Sequence, residues 1–261
     1  MAILEMTQRD AVTHLTMNSP ERLNALSNEM LAALQDRLDA LADDPTCRVI
    51  ILSGAGKAFC AGHDLRQMQA MRQNEDGGAA SFADLFARCT DVMMRIQSMP
   101  QPVIAQVHGI ATAAGCQLVA TCDMAVAAQG TRFGVNGVNI GLFCSTPMVA
   151  LSRNMAPKKA FEMLVTGDFI EAARAEELGL VNRVVEPDAL ERETAALADQ
   201  IAGKLGAAVR IGKRAFYDQR DMGTADAYAH TGAVMVENLR NADTNEGMQA
   251  FIEKRSPDWK Q

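Results

Sequence analysis

The chain has 261 residues, of which 48% are hydrophobic and 22% are charged, and its formal net charge is −7. An acidic balance without a block of lysine or arginine argues against nucleic acid or a membrane surface as a partner. The apolar content is ample for a large core that needs no disulfide or metal support.

Cysteine usage and the amino terminus bear on the compartment. The six cysteines are scattered without a Cys-x-x-Cys pair, which predicts free thiols in a reducing environment and no structural zinc site. The first residues lack the basic region and the long apolar core of a secretion signal, and no run is long enough to span a membrane. The sequence therefore predicts a cytoplasmic protein.

The first part of the chain alternates strand and helix patterns. Residues 3–6 and 11–17 are short apolar runs around a polar turn, which predicts a hairpin. Ser27 can cap a helix with leucines at helical spacing, which the acidic residues and proline at 43–45 should end. Residues 49–52 then read as a fully buried strand.

The alternation continues after a glycine-rich loop at residues 53–65. The polar segment 67–81 predicts a mobile surface loop, and a helix should follow from 82 to 97. Apolar runs at 103–107 and 124–128 predict two further strands with a helix between them. Strands that alternate with helices imply a parallel sheet with crossover connections, hence an α/β fold.

The second half is mostly helical in pattern. Residues 131–146 are rich in glycine and polar at intervals, which predicts a functional loop without regular structure. Beyond Pro147 helical patterns dominate, and we place a boundary near Pro187. Residues 1–187 should form the core with the functional site, and residues 188–261 a helical module that packs on the core or on a neighbouring subunit.

Two loops leave the backbone accessible. Small residues, Ala113-Ala114-Gly115, open the helix after strand 103–107, and the first N–H groups of a helix have no partner within it. On this stretch alone, tight packing of the helix on the sheet is slightly favoured. The glycine-rich loop 53–65 follows another buried strand, however, and two such loops can supply converging N–H donors, an oxyanion hole for an ester or thioester carbonyl.

The chain closely resembles the crotonase family, also called the enoyl-CoA hydratase/isomerase family, over nearly its whole length. The matching segments are RLNAL at 22–26, KAFCAGHDL at 57–65, GIATAAGCQL at 109–118, CD at 122–123, TGD at 166–168, residues 172–181 and the tail from 246 to 255. The resemblance implies a crotonase-like spiral of ββα units with a carboxyl-terminal helical trimerisation region. It also implies an acyl-CoA thioester as ligand, coenzyme A as part of the substrate rather than a tightly bound cofactor, and self-association as a trimer or a dimer of trimers.

The resemblance assigns roles to individual positions. The oxyanion donors would be the backbone N–H groups of His63 and Ala114, with no role required of the His63 imidazole. Several positions fall where the family holds coenzyme A, namely Arg22, Leu23, Ala61, Asp64 and Leu65. Phe251 and Lys254 fall on a carboxyl-terminal helix that often reaches the nucleotide end from a neighbouring subunit.

The chain departs from the family at both catalytic glutamates. Hydratases use two glutamates as a general acid/base pair, and the aligned residues here are Gln117 and Gly137. An amide can hold a water molecule but cannot take its proton, and glycine has no side chain. Ordinary two-glutamate hydration is therefore not expected. The closest likeness is to the hydratase-domain-containing subgroup that lacks both glutamates.

The loop that normally faces the acyl group carries further candidate side chains. Asn139, like Asn136, can hold water or simply satisfy loop backbone. Cys144 is the one potential nucleophile, against the more economical interpretation of a buried structural thiol. Three hypotheses stay open: an acyl-CoA enzyme of fatty acid or related CoA metabolism, a non-catalytic acyl-CoA binder or regulator, and a CoA-thioester hydrolase or decarboxylase.

Overall fold

A main sheet and a smaller one organise the chain in the computed structural model, which describes residues 2–260. In spatial order the main sheet contains β1 (Leu4–Arg9), β2 (Val12–Met17), β3 (Val49–Gly54), β4 (Val103–Val107), β6 (Met124–Ala128) and β9 (Arg183–Val185). The smaller sheet contains β5 (Ile110–Thr112), β7 (Arg132–Gly134) and β8 (Ile170–Glu171).

The pairing in the main sheet confirms the α/β prediction. β1 and β2 form the expected antiparallel hairpin, and β2, β3, β4, β6 and β9 are parallel neighbours. The parallel strand β3 is apolar and buried along Val49 to Ser53 because both of its faces are covered.

Helices surround the sheets. They are α1 (Asn28–Ala42), α2 (Leu65–Met71), α3 (Ala79–Ser98), α4 (Ala114–Thr121), α5 (Ser145–Asn154), α6 (Pro157–Thr166), α7 (Ala172–Glu177), α8 (Leu190–Ala202), α9 (Gly206–Asp218), α10 (Thr224–Leu239) and α11 (Ala242–Glu253). Helices α1, α3 and α4 contribute to the large core on one face of the main sheet. The apolar face of α8 packs against β2, β3, β4 and β6 on the other.

Side chains accept hydrogen bonds from amides in the first turns of three helices, α1, α2 and α3. The Ser27 hydroxyl accepts from the Met30 amide at 3.2 Å, as the sequence predicted for α1. The predicted surface loop at 67–81 is wrong at both ends, because Asp64 caps α2 through the Arg66 and Gln67 amides and Asp76 accepts from the Ala80 amide at the start of α3.

The prediction of an irregular loop at 131–146 is also partly wrong. β7 pairs with β5 in parallel, and a 3-10 turn covers Asn136–Ile140. These elements are too short to give a periodic pattern in the sequence, and β7 depends on pairing with β5, which lies about twenty residues earlier along the chain.

A buried ion pair fastens α9 to the core. Lys213 Nζ donates to the carbonyl oxygens of Ile96 and Gln101 at 2.6 and 2.8 Å and to Asp123 Oδ2 at 2.7 Å. The Tyr217 hydroxyl donates to the second Asp123 oxygen at 2.9 Å.

Helices α10 and α11 instead expose large apolar side chains, including Tyr228 and Phe251. Within residues 2–260, no helix is long and apolar enough to cross a membrane.

Candidate active site

A cavity of about 400 Å³ opens where three loops of the chain meet. Its wall combines the β3–α2 loop, the start of α4, one side chain of α3 and the segment that leads into α5. The lining residues are Ala61, His63, Leu65, Met68, Phe86, Thr112, Ala113, Ala114, Asn136, Gly137, Ile140, Leu142, Phe143, Cys144, Ser145, Thr146 and Pro147. The wall is largely apolar with a few polar groups, as is usual for a small-molecule site.

Backbone hydrogen bonds join the two glycine-containing loops. The Cys60 amide donates to the Ile110 carbonyl at 3.2 Å, and the Thr112 amide donates to the Cys60 carbonyl at 3.0 Å. A Cβ on Gly115 would lie 2.2 Å from the Cys60 oxygen, and a Cβ on Gly62, whose φ is 92°, would lie 3.1 Å from the Thr112 carbonyl oxygen. The loops can approach this closely because both positions are glycine.

The approach of the loops places two residues with unpaired backbone amides in the cavity wall. His63 and Ala114 both line it, and no acceptor within residues 2–260 takes either amide hydrogen. Ala114 is the first residue of α4, and its orientation is set by Ala113, which has the unusual angles φ 50° and ψ −120°. The Ala113 amide is itself held by the Gly134 carbonyl at 2.9 Å. Strained backbone of this kind often occurs at functional sites.

The imidazole of His63 also lies in the cavity wall. Its Nδ1 atom is 3.3 Å from the Leu26 carbonyl oxygen, and its ring packs edge-to-face on Phe86 with a centroid distance of 5.6 Å. Burial lowers the pKa of this imidazole below its ordinary value. Because a carbonyl only accepts, Nδ1 carries the hydrogen of the neutral ring. The Nε2 atom is buried without a partner among the described residues.

Gly137 and Cys144 lie together in the opposite wall. A Cβ on Gly137 would lie 2.3 Å from the Leu142 carbonyl oxygen and 2.9 Å from Cys144 Sγ. Burial raises the pKa of the Cys144 thiol, so the sulfur is a neutral, weakly reactive group. No Asp, Glu, Lys or Arg side chain of residues 2–260 lines the cavity. The described wall therefore carries no net charge at neutral pH.

A short side-chain hydrogen bond supplies a polar feature that the sequence did not single out. The Thr112 hydroxyl donates to Asn136 Oδ1 at 2.6 Å, and both residues line the cavity. This bond orients the carboxamide and leaves its NH₂ group as a donor. The sequence signal for a role of Thr112 was its position two residues before Ala114. Its hydrogen-bond partner Asn136 could not be recognised without the path of the 3-10 turn.

Five residues expected to hold coenzyme A lie together beside the cavity. Arg22 Nη1 donates to Asp64 Oδ2 at 3.0 Å, and the Ala61 amide donates to the Leu23 carbonyl at 3.0 Å. Leu65 is 55% exposed and lies in the cavity wall with Ala61. The Arg22 side chain is itself more than half exposed, so the edge of the cavity presents a cation to solvent.

Other predicted site residues lie elsewhere. Gln117 is buried and its Oε1 atom has no partner among the described residues, but the side chain does not line the cavity. Asn139 points away and donates to the Gly167 carbonyl at 3.3 Å. Phe251 lies on the exposed side of α11 in a separate groove with Trp259, and Lys254 ends that helix. The structure gives no support to a catalytic role for Asn139.

Known proteins resemble this chain in sequence and in fold. The model of the family described as enoyl-CoA hydratase/isomerase matches residues 7–261. The mitochondrial enoyl-CoA hydratase domain-containing protein 3 of Xenopus laevis is 44% identical over 97% of this chain and 85% of its own length. An enoyl-CoA hydratase structure from Mycobacterium smegmatis is 52% identical with a TM-score of 0.95, covering 99% of both chains. The structure of human enoyl coenzyme A hydratase domain-containing protein 3 is 43% identical with a TM-score of 0.94, covering 98% of this chain and all of the other.

These comparisons confirm the expected fold and overturn one prediction. The cytoplasmic location inferred from the amino terminus and cysteine usage is contradicted, because the relatives from Xenopus laevis, Danio rerio and Homo sapiens are named as mitochondrial proteins. Composition and thiol chemistry do not distinguish between reducing compartments, which is why that inference failed. The match over nearly the whole chain, together with the structural agreement, shows that this protein belongs to the enoyl-CoA hydratase/isomerase family.

Proposed function

We propose that the chain binds acyl-CoA thioesters in this cavity and polarises the thioester carbonyl with the backbone amides of His63 and Ala114. The observation that carries the proposal is that His63 and Ala114 line one cavity and that neither backbone amide has an acceptor among the described residues. Donors fixed in this way stabilise negative charge on a carbonyl oxygen as an enolate or a tetrahedral intermediate forms. The dipole of α4 adds partial positive charge at Ala114.

The coenzyme A part is assigned to the edge formed by Arg22, Leu23 and Asp64. The Asp64 carboxylate caps α2 and pairs with Arg22, so the guanidinium is held at the cavity edge with donors to spare. Those donors suit the phosphates of coenzyme A. The acyl chain would then extend past the two amides towards Ile140, Leu142 and Phe143, which line the apolar wall.

Two-glutamate hydration is not part of the proposal, because no carboxylate of the described residues lines the cavity. Neutral polar groups take the positions near the acyl group, among them the Thr112–Asn136 pair and the hydroxyls of Ser145 and Thr146. Such groups bind a carbonyl, a hydroxyl or a water molecule without accepting a proton at neutral pH.

The test combines a substrate panel with the removal of one donor. Enoyl-CoA and β-ketoacyl-CoA thioesters are assayed for turnover, with and without bicarbonate, and for binding by calorimetry. Ala114→Pro deletes the N–H at the first position of α4, where proline is compatible with a helix. We expect acyl-CoA binding to persist while turnover falls about 100-fold or more. Absence of acyl-CoA binding by the wild type would refute the proposal.

A second candidate is a non-catalytic acyl-CoA binder or regulator. The uncharged wall favours it, because burial keeps His63 and Cys144 neutral and no acid lines the cavity among the described residues. Tight binding without turnover of any thioester in the panel would support this candidate over the enzyme. Release of free coenzyme A or of carbon dioxide would instead identify the hydrolase or decarboxylase alternative.

Self-association as a trimer or a dimer of trimers is also part of the proposal. Helices α10 and α11 expose Tyr228, Phe251 and Ile252 at 77%, 86% and 72%, which is unusual for large apolar side chains in water. Burial in a neighbouring subunit would cover them and bring Phe251 and Lys254 near that subunit's coenzyme A. Light scattering should give three or six chains per particle, and a monomer would contradict this.

A further inference from the structure

One carboxamide in the wall of the candidate active site has a donor group that the rest of the chain does not use. Asn136 lines the cavity and is only partly buried, and its Oδ1 atom accepts from the Thr112 hydroxyl at 2.6 Å. The NH₂ group is not enclosed by protein, and no acceptor within residues 2–260 takes a hydrogen from it. A ligand in the cavity can therefore reach this donor.

The backbone holds this carboxamide close to the Ala114 amide. Thr112 is opposite Gly134 in the parallel register of β5 and β7, and the Ala113 amide donates to the Gly134 carbonyl at 2.9 Å. Ala114 follows directly, and two residues of extended chain span at most about 7 Å. An acyl group whose thioester oxygen meets the Ala114 amide therefore begins within reach of the side chain that Thr112 orients.

Three donors in this part of the wall are unused. They are the backbone amides of His63 and Ala114 and the NH₂ group of Asn136, and none has an acceptor among the described residues. The single oxygen of a thioester carbonyl can accept from the two amides, which leaves the carboxamide without a partner. A second oxygen on the acyl group, near the first, would pair with it.

The charge of the wall limits what this second oxygen can be. No Asp, Glu, Lys or Arg side chain of residues 2–260 lines the cavity, so a carboxylate on the acyl group would lose its hydration without gaining a cation. A hydroxyl carries no charge but brings a hydrogen that needs an acceptor of its own. A ketone oxygen only accepts, and it therefore matches an NH₂ group, which only donates.

We propose that the substrate is a 3-oxoacyl thioester and that Asn136 is the residue that selects its ketone. The ketone carbon lies two bonds from the thioester carbon, so the two oxygens can lie side by side, one at the backbone amides and one at the carboxamide. Thr112 is a positioning residue, because its hydroxyl occupies Asn136 Oδ1 and turns the NH₂ group towards the acyl group. This inference rests on the proposed binding of acyl-CoA in the same cavity.

Other polar side chains of the wall discriminate less. The hydroxyls of Ser145 and Thr146 line the cavity, but a hydroxyl can both donate and accept, so it tolerates a ketone or an alcohol equally. Asn139 belongs to the same 3-10 turn as Asn136 and donates to the Gly167 carbonyl outside the cavity. The carboxamide of Asn136 is therefore the side chain of the described wall that distinguishes a ketone from other substituents.

Calorimetry with the full chain compares short acyl-CoA thioesters that differ at the β carbon. Butyryl-CoA is unsubstituted there, acetoacetyl-CoA carries a ketone, 3-hydroxybutyryl-CoA a hydroxyl and malonyl-CoA a carboxylate. Chromatography after each titration checks that the thioester is intact. The wild type should bind acetoacetyl-CoA about threefold to tenfold more tightly than butyryl-CoA, and malonyl-CoA no more tightly than butyryl-CoA.

Two substitutions of Asn136 change the donor in different ways. Asn136→Leu keeps a side chain of similar size without the donor, so it should bind acetoacetyl-CoA and butyryl-CoA equally. Asn136→Asp keeps the shape but only accepts, so it should bind 3-hydroxybutyryl-CoA more tightly than acetoacetyl-CoA and reverse the order. Asn139→Leu is the matched control on the same turn and should keep the preference of the wild type.

The possible failures of the two proposals can be told apart. Equal binding of acetoacetyl-CoA and butyryl-CoA by the wild type would overturn the selection of a ketone and leave acyl-CoA binding intact, whereas absence of binding of every thioester would overturn both. An unchanged preference in Asn136→Leu, or an equal loss in Asn139→Leu, would overturn the role of Asn136. If Asn136→Leu does not fold, Asn136→Asp decides, because a retained preference for acetoacetyl-CoA there would contradict the assignment.

Discussion

The sulfur of Cys144 lies 2.9 Å from the place that a Cβ on Gly137 would occupy. The Leu142 carbonyl oxygen is closer still, at 2.3 Å, and Leu142 donates its amide back to the Gly137 carbonyl at 2.9 Å. Backbone therefore fills the space into which a side chain at this position would begin. A side chain at this position would therefore have to displace the Leu142 carbonyl and the Cys144 sulfur.

Gly137→Glu is accordingly expected not to introduce a carboxylate that supports hydration. The added Cβ alone requires a backbone shift, so Gly137→Ala should lower the free energy of unfolding by about 1–3 kcal/mol. Gly137→Glu should cost at least as much and give no hydration of enoyl-CoA. Urea unfolding and a hydration assay measure the two effects.

Gly212→Ala is the matched control, because a Cβ there meets no atom within 4 Å. It lies inside α9, where alanine is favoured over glycine by roughly 0.5–1 kcal/mol. We expect this variant to be as stable as the wild type or slightly more so. Hydratase activity in Gly137→Glu, or a stable Gly137→Ala protein, would show that the 136–144 segment can rearrange.

Patterns along the sequence predicted the central strands β3, β4 and β6 because these strands are largely buried. Residues 49–52 and 103–105 are apolar without alternation, and a short run of this kind between helices is typical of a buried parallel strand. The start of α1 was equally predictable from the sequence, because the Ser27 side chain caps the helix by a local hydrogen bond. Local contacts and continuous apolar runs are the features that a sequence displays directly.

The details of the site depended on contacts between distant residues. Asn136 and Asn139 are equally polar in the sequence, but the 3-10 turn directs one to Thr112 in the cavity and the other to Gly167 outside it. Arg48, Gln101 and Arg210 likewise line a cavity outside the candidate site, although no spacing rule connects these positions. Only the path of the backbone decides such pairings.

The ion pair of Lys213 with Asp123 should be essential for the stability of the folded chain. Lys213→Met leaves the Asp123 carboxylate buried with one fewer cation and leaves two carbonyl oxygens without their donor. Breaking a buried pair in this way costs about 3–5 kcal/mol. Urea unfolding at fixed protein concentration should show a loss of this size.

Lys158→Met removes a lysine charge from an exposed position and serves as the control. Surface substitutions of this kind stay within about 0.5 kcal/mol of the wild type. A similar stability for both variants would mean that hydration of the α9 contact compensates for the lost lysine. In that case the pair would not be what holds α9 in place.

The backbone strain at Ala113 should be measurable as a gain in stability on its removal. The angles φ 50° and ψ −120° suit glycine, and a residue with a Cβ in such a region costs about 1–3 kcal/mol. Ala113→Gly relieves this cost but makes the unfolded chain more flexible, an opposing effect of about 0.5–1 kcal/mol. We expect a net stabilisation of roughly 1 kcal/mol by urea unfolding. Loss of stability would indicate that the Ala113 methyl group, which lines the cavity, contributes more by packing than its strain costs.

Burial of His63 should make the folded protein less stable in mild acid. Its folded pKa lies below the ordinary value of 6.5, so below that pH the unfolded chain binds a proton that the folded chain does not. The neutral form thus contributes stability that is present above pH 6.5 and is lost as the pH falls towards the folded pKa. The slope from one such group cannot exceed about 1.4 kcal/mol per pH unit.

His63→Gln removes this titration and keeps the backbone amide that the proposed oxyanion hole needs. The free energy of unfolding is measured at pH 8, 6.5 and 5.5 for both proteins. The decline between pH 6.5 and 5.5 should be smaller in the variant, whereas the contribution of His14, whose pKa burial also lowers, is common to both and cancels in the difference. Parallel profiles for the two proteins would mean that the His63 ring gains solvent or a partner when it is charged. Such a change would require the contact of the His63 ring with Phe86 to open.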